Sequence, residues 1–357
     1  MITQSYNVVG VMSGTSLDGA DLAHIKLTVA NGVWQYHIYG AETIAYTNEW
    51  VNKLKTAIDY NEEELKALNN DYTILLSSFI NDFIVRHDLT DLDAVCSHGH
   101  TILHRPQDGV TLQIGNLPQI AALTGQKIVC DFRVADVALG GQGAPLVPIG
   151  DRLLFANYNY CLNLGGFSNI SFEENGIRLA FDICPVNTVL NFYANKLGLD
   201  YDDAGAVAAG GIINKELLTA LNSLNFYTAP YPKSLGFEFV KQTVLPLVEK
   251  YNDTPQNNLA TFTEHVAVQI ANVILQKGIA GSLFITGGGA YNKTLINRMR
   301  QLMPQLSIVV PDDKTIQYKE ALIFALLGVL KLRGEVNVLG SVTGAPKDHI
   351  SGVIYSV

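Results

Sequence analysis

Asp182 follows the apolar run Ile177-Arg178-Leu179-Ala180-Phe181 and precedes Ile183-Cys184-Pro185. A carboxylate ending a strand can point into a cleft and take a proton from an attacking oxygen, as phosphoryl transfer requires. The competing reading is an Asp that caps the turn after it. Phosphate oxygens need converging N–H donors and a backbone that approaches closely, which glycine turns supply. Three such turns stand at strand ends. Ser13-Gly14-Thr15-Ser16-Leu17-Asp18-Gly19-Ala20-Asp21 carries three hydroxyls and acidic groups able to hold Mg2+ through water. Gly165-Gly166 is the second, and Gly287-Gly288-Gly289, expected to open a helix, the third. An ordinary polar hairpin turn explains any one of them equally well. Three spread over the chain fit a nucleotide clamped between two domains.

Other side chains are open to more than one reading. Arg133, in Asp131-Phe132-Arg133-Val134-Ala135-Asp136, is placed to hold a substrate carboxylate with two N–H groups, or else to form a surface ion pair. His98, His100 and His104 invite a metal reading, but no carboxylate or thiolate lies at useful spacing, so polar cleft residues are the better expectation.

The elements that must position these groups are strands and helices in alternation. Tyr6 to Met12 reads as a buried strand, Ala20 to Leu27 alternates, and Trp34 to Ala45 adds a third strand. Apolar residues recur at helical spacing from Leu65 to Phe83. Strand, glycine turn and two further strands recur from Tyr160, ending at Asp182, which suggests two similarly built domains. Helical patterns follow at Leu217–Leu224, Phe239–Tyr251 and Thr263–Lys277. No linker marks a boundary. Division near residue 133 gives 1–133, with the first phosphate loop, and 134–357, with Asp182 and the adenosine-side glycines; the last segment is a candidate to return to the first domain.

Composition narrows the classes. With 357 residues, 48% hydrophobic and 16% charged, the chain is globular and long enough for two cores. A net charge of -9 disfavours nucleic acid as a partner. No apolar run spans a bilayer and no basic leader opens the chain, so a membrane partner and a signal peptide are not expected. Cys96, Cys130, Cys161 and Cys184 form no CxxC pair and read as reduced thiols, pointing to the cytoplasm. A dehydrogenase is excluded by the lack of G-x-G-x-x-G after the first strand.

Gly10-Val-Met-Ser-Gly-Thr-Ser-Leu-Asp-Gly-Ala-Asp21 closely resembles the opening signature of the anhydro-N-acetylmuramic acid kinases. The resemblance continues in order through Ser97-His98-Gly99-His100-Thr101, Gln113-Ile114-Gly115-Asn116, Asp131-Phe132-Arg133, Gly140 to Leu146, Asn163 to Gly166, Phe181-Asp182 and Thr286 to Gly289. It implies an α/β, two-domain actin/hexokinase-like (ribonuclease H-like) fold with ATP in an interdomain cleft. It also implies a reaction that hydrolyses the 1,6-anhydro ring and phosphorylates O6, in recycling of cell-wall fragments, and a homodimer. Carried over by motif, Asp182 would deprotonate the attacking water and Gly14 to Asp21 would hold the ATP phosphates with Mg2+. Arg133, Asp136 and Glu320 would serve the amino sugar.

Two stretches depart from the family pattern. Ile183-Cys184-Pro185-Val186 stands where the family has Thr-Gly-Pro-Gly, and Cys184 and Val186 are expected to narrow the wall beside Asp182. Phe237 replaces an arginine. These departures keep open a same-fold kinase for another sugar or anhydrosugar. A nucleotide-binding regulator without catalysis is the reading from another class, opposed by the retention of Asp182 and the Gly14–Asp21 loop.

Overall fold

The structure is a computed structural model describing residues 3–14, 17–278 and 281–357. Thr15 and Ser16, both expected in the first phosphate loop, lie outside the described residues. The chain forms two compact units, Met1–Leu154 with Tyr318–Val357, and Phe155–Gln317. The first division thus falls after Leu154, beyond the expected position near residue 133. The stretch between is tied into unit 1 by polar contacts across the chain. Thr343 Oγ1 donates to Asp136 Oδ1 at 2.7 Å, and Lys319 pairs with Asp151 at 2.7 Å, both ions almost wholly buried.

In unit 1, β1 (Gln4–Ser13), β2 (Gly19–Ala30) and β3 (Val33–Ala45) form an antiparallel meander. β1 is apolar and buried from Val8 onward, while β2 alternates, as expected of a central strand beside one with a wetter face. Asn31 and Gly32, both at positive φ, make the β2–β3 turn with the residue pair such hairpins favour. β4 (Ala94–Arg105) adds parallel to β1, β5 (Val110–Ile114) pairs antiparallel with β4, and β6 (Ile128–Cys130) adds parallel to β4. The helix Glu62–Arg86 starts in a capping box at Asn61 and buries Leu68, Tyr72, Leu76, Ile80 and Phe83 in the unit's core.

Unit 2 repeats the plan. β7 (Tyr160–Leu164), β8 (Phe167–Glu174) and β9 (Ile177–Pro185) form the meander, and Asn175-Gly176 makes its second turn. β10 (Gly281–Thr286) adds parallel to β7 and β11 (Leu306–Val309) parallel to β10. The buried helix Pro255–Lys277 begins earlier than its expected start at Thr263, with Thr254 as its cap. The last strand, β12 (Val353–Tyr355), returns to unit 1 and pairs with β6. The two sheets therefore run β12-β6-β4-β1-β2-β3 and β11-β10-β7-β8-β9. Each has an antiparallel meander on one side of its first strand and two parallel strands on the other, to which the first sheet adds β12 antiparallel at its edge.

The helix Asp313–Arg333 leaves unit 2 and enters unit 1 at Tyr318, whose φ of -111° and ψ of 17° interrupt the helical backbone. From Ala321 to Leu330 it is buried on every side.

Candidate active site

In unit 2, Asp182 belongs to β9, the outer strand of its sheet. The strand continues to Pro185 rather than ending at Asp182. Cys184 faces Ser168 and Asp182 faces Asn169, so Ile183 is an extra residue without a partner on β8. A bulge of this kind re-aims the side chains beside it. Asp182 is half-buried. Its N–H donates to the Lys233 carbonyl at 3.0 Å, and the Leu235 N–H donates to its Oδ2 at 2.8 Å. Burial raises the Asp182 carboxyl above its ordinary value, and the Leu235 bond opposes the rise.

Cys184 and Val186 do not narrow a wall beside Asp182. Both are wholly buried in the core of unit 2, and burial pushes the Cys184 thiol up to about 12.

The carbonyls of Gly165 and Gly166 accept the N–H groups of Val186, Asn187 and Thr188 at 2.8–3.2 Å. This turn therefore holds the start of the helix Asn187–Asn195, and those donors are engaged within the chain. Gly287 has φ of 82°, and a Cβ there would strike Asn163 and Leu164. Gly289 packs as tightly on Leu164, whereas at Gly288 a Cβ would have no neighbour nearer than Asn187 Nδ2 at 3.7 Å. The triplet does not open a helix directly. A short 3-10 turn, Gly288–Tyr291, intervenes, and Asn292 caps the helix Lys293–Leu302.

Beside Gly288 lies a cavity of about 470 Å³ lined by Asn187, Asn191, Tyr201, Asp203 and Tyr291 among others, within the size range of small-ligand sites. Asp202 fixes one wall by accepting the N–H groups of Val207 and Ala208. Apart from Gly288 and Gly289, the cavity residues carry no motif that sequence reading could single out. Clustered amides, acids and tyrosines at 187–203 were the available signal.

In unit 1, Gly14, Leu17 and Asp18 belong to the β1–β2 turn, whereas Gly19, Ala20 and Asp21 are already in β2. Ser13 Oγ, at the foot of that turn, hydrogen-bonds His100 Nδ1 and the Tyr46 hydroxyl, each at 2.7 Å, and Tyr46 reaches Tyr72. Burial lowers His100 to about 4, so it stays neutral in this chain of hydroxyls. Thr43 Oγ1 donates to Asp21 Oδ1 at 2.6 Å. Burial first, then the charges of Asp18 and Glu320, raise the Asp21 carboxyl to about 6 despite that bond.

Arg133 Nε donates to His98 Nε2 at 2.9 Å, and Nη1 to the Gly143 carbonyl at 2.6 Å. His98 therefore carries its proton on Nδ1, which donates to the Gly99 carbonyl at 2.9 Å. Burial, with Arg133 next, holds His98 well below its usual value, and burial lowers Arg133 to about 10. Glu320 interacts with both Arg133 and Asp21. Its carboxyl is raised by desolvation, with Arg133 and Lys319 opposing.

Arg133, Glu320, Asp21 and Asp18 thus converge. Asp136 acts on Arg133 through its charge but lies beneath the group. It is wholly buried and accepts the Gly143 N–H at 2.6 Å and the Thr343 hydroxyl, so it holds the loop that carries Arg133's partner. His98 and His100 serve Arg133 and Ser13. No group of three His, Cys, Asp or Glu side chains arranged to hold a metal occurs among the described residues.

Two such α/β units in one chain, with a carboxylate on the outer meander strand of the second, define the actin/hexokinase-like class. The model of the family described as anhydro-N-acetylmuramic acid kinase matches residues 6–357, and the chain belongs to that family. It is 34% identical to the anhydro-N-acetylmuramic acid kinase of Saccharophagus degradans over 98% of each chain. With that of Haemophilus influenzae it shares 32% over 97% of each. Among solved structures it is similar to the activator of the 2-hydroxyisocaproyl-CoA dehydratase from Clostridium difficile with bound ADPNP, at 14% identity, 92% and 96% coverage and a TM-score of 0.45. Hexokinase from Schistosoma mansoni complexed with glucose gives 8%, 90% and 85%, and 0.37.

Proposed function

We propose that this kinase opens the 1,6-anhydro ring of anhydro-N-acetylmuramic acid with water and phosphorylates the freed O6 from ATP, yielding N-acetylmuramic acid 6-phosphate and ADP. The observation that carries the reading is Asp182, half-buried, raised in proton affinity and held by the Leu235 N–H. In the proposed step Asp182 accepts a proton from water as the water oxygen bonds the anomeric carbon. The bond from that carbon to O6 breaks, and O6 takes the γ-phosphoryl group.

The 470 Å³ cavity beside Gly288 is the proposed place of the adenosine, its tyrosines offering faces for a purine. Gly14 to Asp21 would hold phosphates, and Arg133, with Glu320 beside it, the sugar's carboxylate side. Asp18 or Asp21 would hold Mg2+ through water only together with the ATP phosphates, since the described carboxylates form no metal-binding group on their own. When bound, Mg2+ would neutralise phosphate oxygens. Service in cell-wall recycling in the cytoplasm, and a homodimer, belong to the same proposal; four buried free thiols accord with a reducing compartment.

The test is ADP release from the purified protein with Mg-ATP and anhydro-N-acetylmuramic acid, beside Asp182→Asn. Turnover is expected to fall by about 10²–10⁴-fold in the variant with ATP binding kept. Equal turnover by both proteins would remove Asp182 from the role.

A further inference from the structure

Residues 231–235 form no strand of the sheet, yet they are strapped along the free side of β9 by contacts on both sides of Asp182. Tyr231 stacks on Phe181 with ring centroids 4.9 Å apart and planes 9° apart. Its hydroxyl donates to Glu174 Oε2 at 2.9 Å, and Lys277 Nζ reaches the same hydroxyl at 2.8 Å and Glu174 Oε1 at 2.9 Å. Lys233 receives the Asp182 N–H on its carbonyl and sends its ammonium back to the Phe226 carbonyl at 2.9 Å. The ammonium also lies over the Phe226 ring at 4.7 Å. The partly buried Tyr227 beyond is anchored by His265 Nε2 at 2.9 Å. So fixed, the segment delivers one donor, the Leu235 N–H, to Asp182 Oδ2.

We infer that the strap Tyr231–Leu235 is a positioning device that sets both the orientation and the proton affinity of Asp182 through the Leu235 N–H. The inference rests on Asp182 being the base. A carboxylate on an edge strand, beside a bulge, would otherwise have rotameric freedom. One N–H on one oxygen leaves Oδ1 to take the proton and favours the charged form. The ionisable groups around Asp182 are few. Cys184 on β9 is buried and protonated, Lys233 on the strap faces away to carbonyls, and Asn169 opposite on β8 is uncharged. On the helix packed over β9, His265 is held neutral by burial and Lys277 is paired with Glu174. The strap's N–H is therefore the main opponent of desolvation at this carboxyl.

The experiment follows the carboxyl carbon of Asp182 by NMR against pH in the full chain labelled with 13C-aspartate, assigned by Asp182→Asn. Leu235→Pro removes the N–H, and Leu235→Ala keeps it. The Asp182 titration is expected to move up by about one pH unit in Leu235→Pro, a tenfold gain in proton affinity, and to stay in place in Leu235→Ala. The acid limb of kcat/KM should follow the same shift. An unmoved titration in folded Leu235→Pro overturns the inference. Should that variant fail to fold, Lys233→Met, which frees the strap from Phe226, must move the titration in the same direction or the inference falls. A titration that moves while the acid limb of turnover stays put upholds the strap and removes Asp182 from its role as base.

Discussion

The carbonyl oxygen of Ala321 occupies the space that a Cβ on Gly10 would need. This approach lays the helix Asp313–Arg333 directly on β1, and it is how Glu320 comes within electrostatic reach of Asp21, across from Met12 on β2. A backbone contact thus places an acid beside the phosphate loop.

Gly10→Ala must therefore push the helix from the strand. We expect a loss of about 1–3 kcal/mol in stability, as for overpacking elsewhere, together with a rise in KM for the sugar as Glu320 moves. Urea unfolding and steady-state kinetics on the same preparation check this. Wild-type values in both would show that the helix yields freely.

Arg133 keeps its Nη2 uncommitted to His98 or Gly143, and a carboxylate is its natural partner. Arg133→Met is expected to raise KM for anhydro-N-acetylmuramic acid about 10–100-fold, the worth of a charge-assisted hydrogen bond. The same change should matter far less for an analogue lacking the lactyl carboxylate. Equal losses on both sugars would assign Arg133 to the loop's architecture alone.

At Asp21 the folded chain holds the carboxyl at about 6 against an ordinary 3.8, so folding disfavours its charged form. The stability this group contributes is complete below about pH 4 and is lost as pH rises through 6. At pH 7.5, ligand-free Asp21→Asn should be more stable than wild type by about 1–2 kcal/mol, after allowance for the solvent Asp21 still meets. Its turnover should collapse, and Mg-ATP should raise its Tm less than that of wild type. Thermal melts at pH 4 and 7.5 decide the matter, and a variant less stable at pH 7.5 would refute the sign.

Gly288 differs from its neighbours because a side chain there meets open space, whereas Gly287 and Gly289 press on β7. Gly288→Leu should fill the cavity, raising KM for ATP about tenfold with little change in Tm, while Gly289→Leu should fail to fold well. Unchanged ATP affinity in Gly288→Leu would move the nucleotide elsewhere.

Much was legible because it is local. Strand alternation in β2, the stripe from Leu65 to Phe83 and the glycine turns follow from neighbours in the chain. Two Asn-Gly hairpin turns, Asn31-Gly32 and Asn175-Gly176, carried a further signal of the repeat. The helix from Ala321 to Leu330 escaped such reading because it is buried all round and so lacks an amphipathic stripe.

By itself the sequence determined the meander elements, the strand-borne Asp182 and the glycine turns, because side-chain period and backbone freedom act over a few residues. Only the tertiary structure decided that Cys184 and Val186 face the core, that Asp136 is an internal tie, and that Leu235 donates to Asp182. Each of those outcomes depends on which distant segment fills the space beside a residue. That choice is made by burial and hydrogen-bond satisfaction across the whole unit.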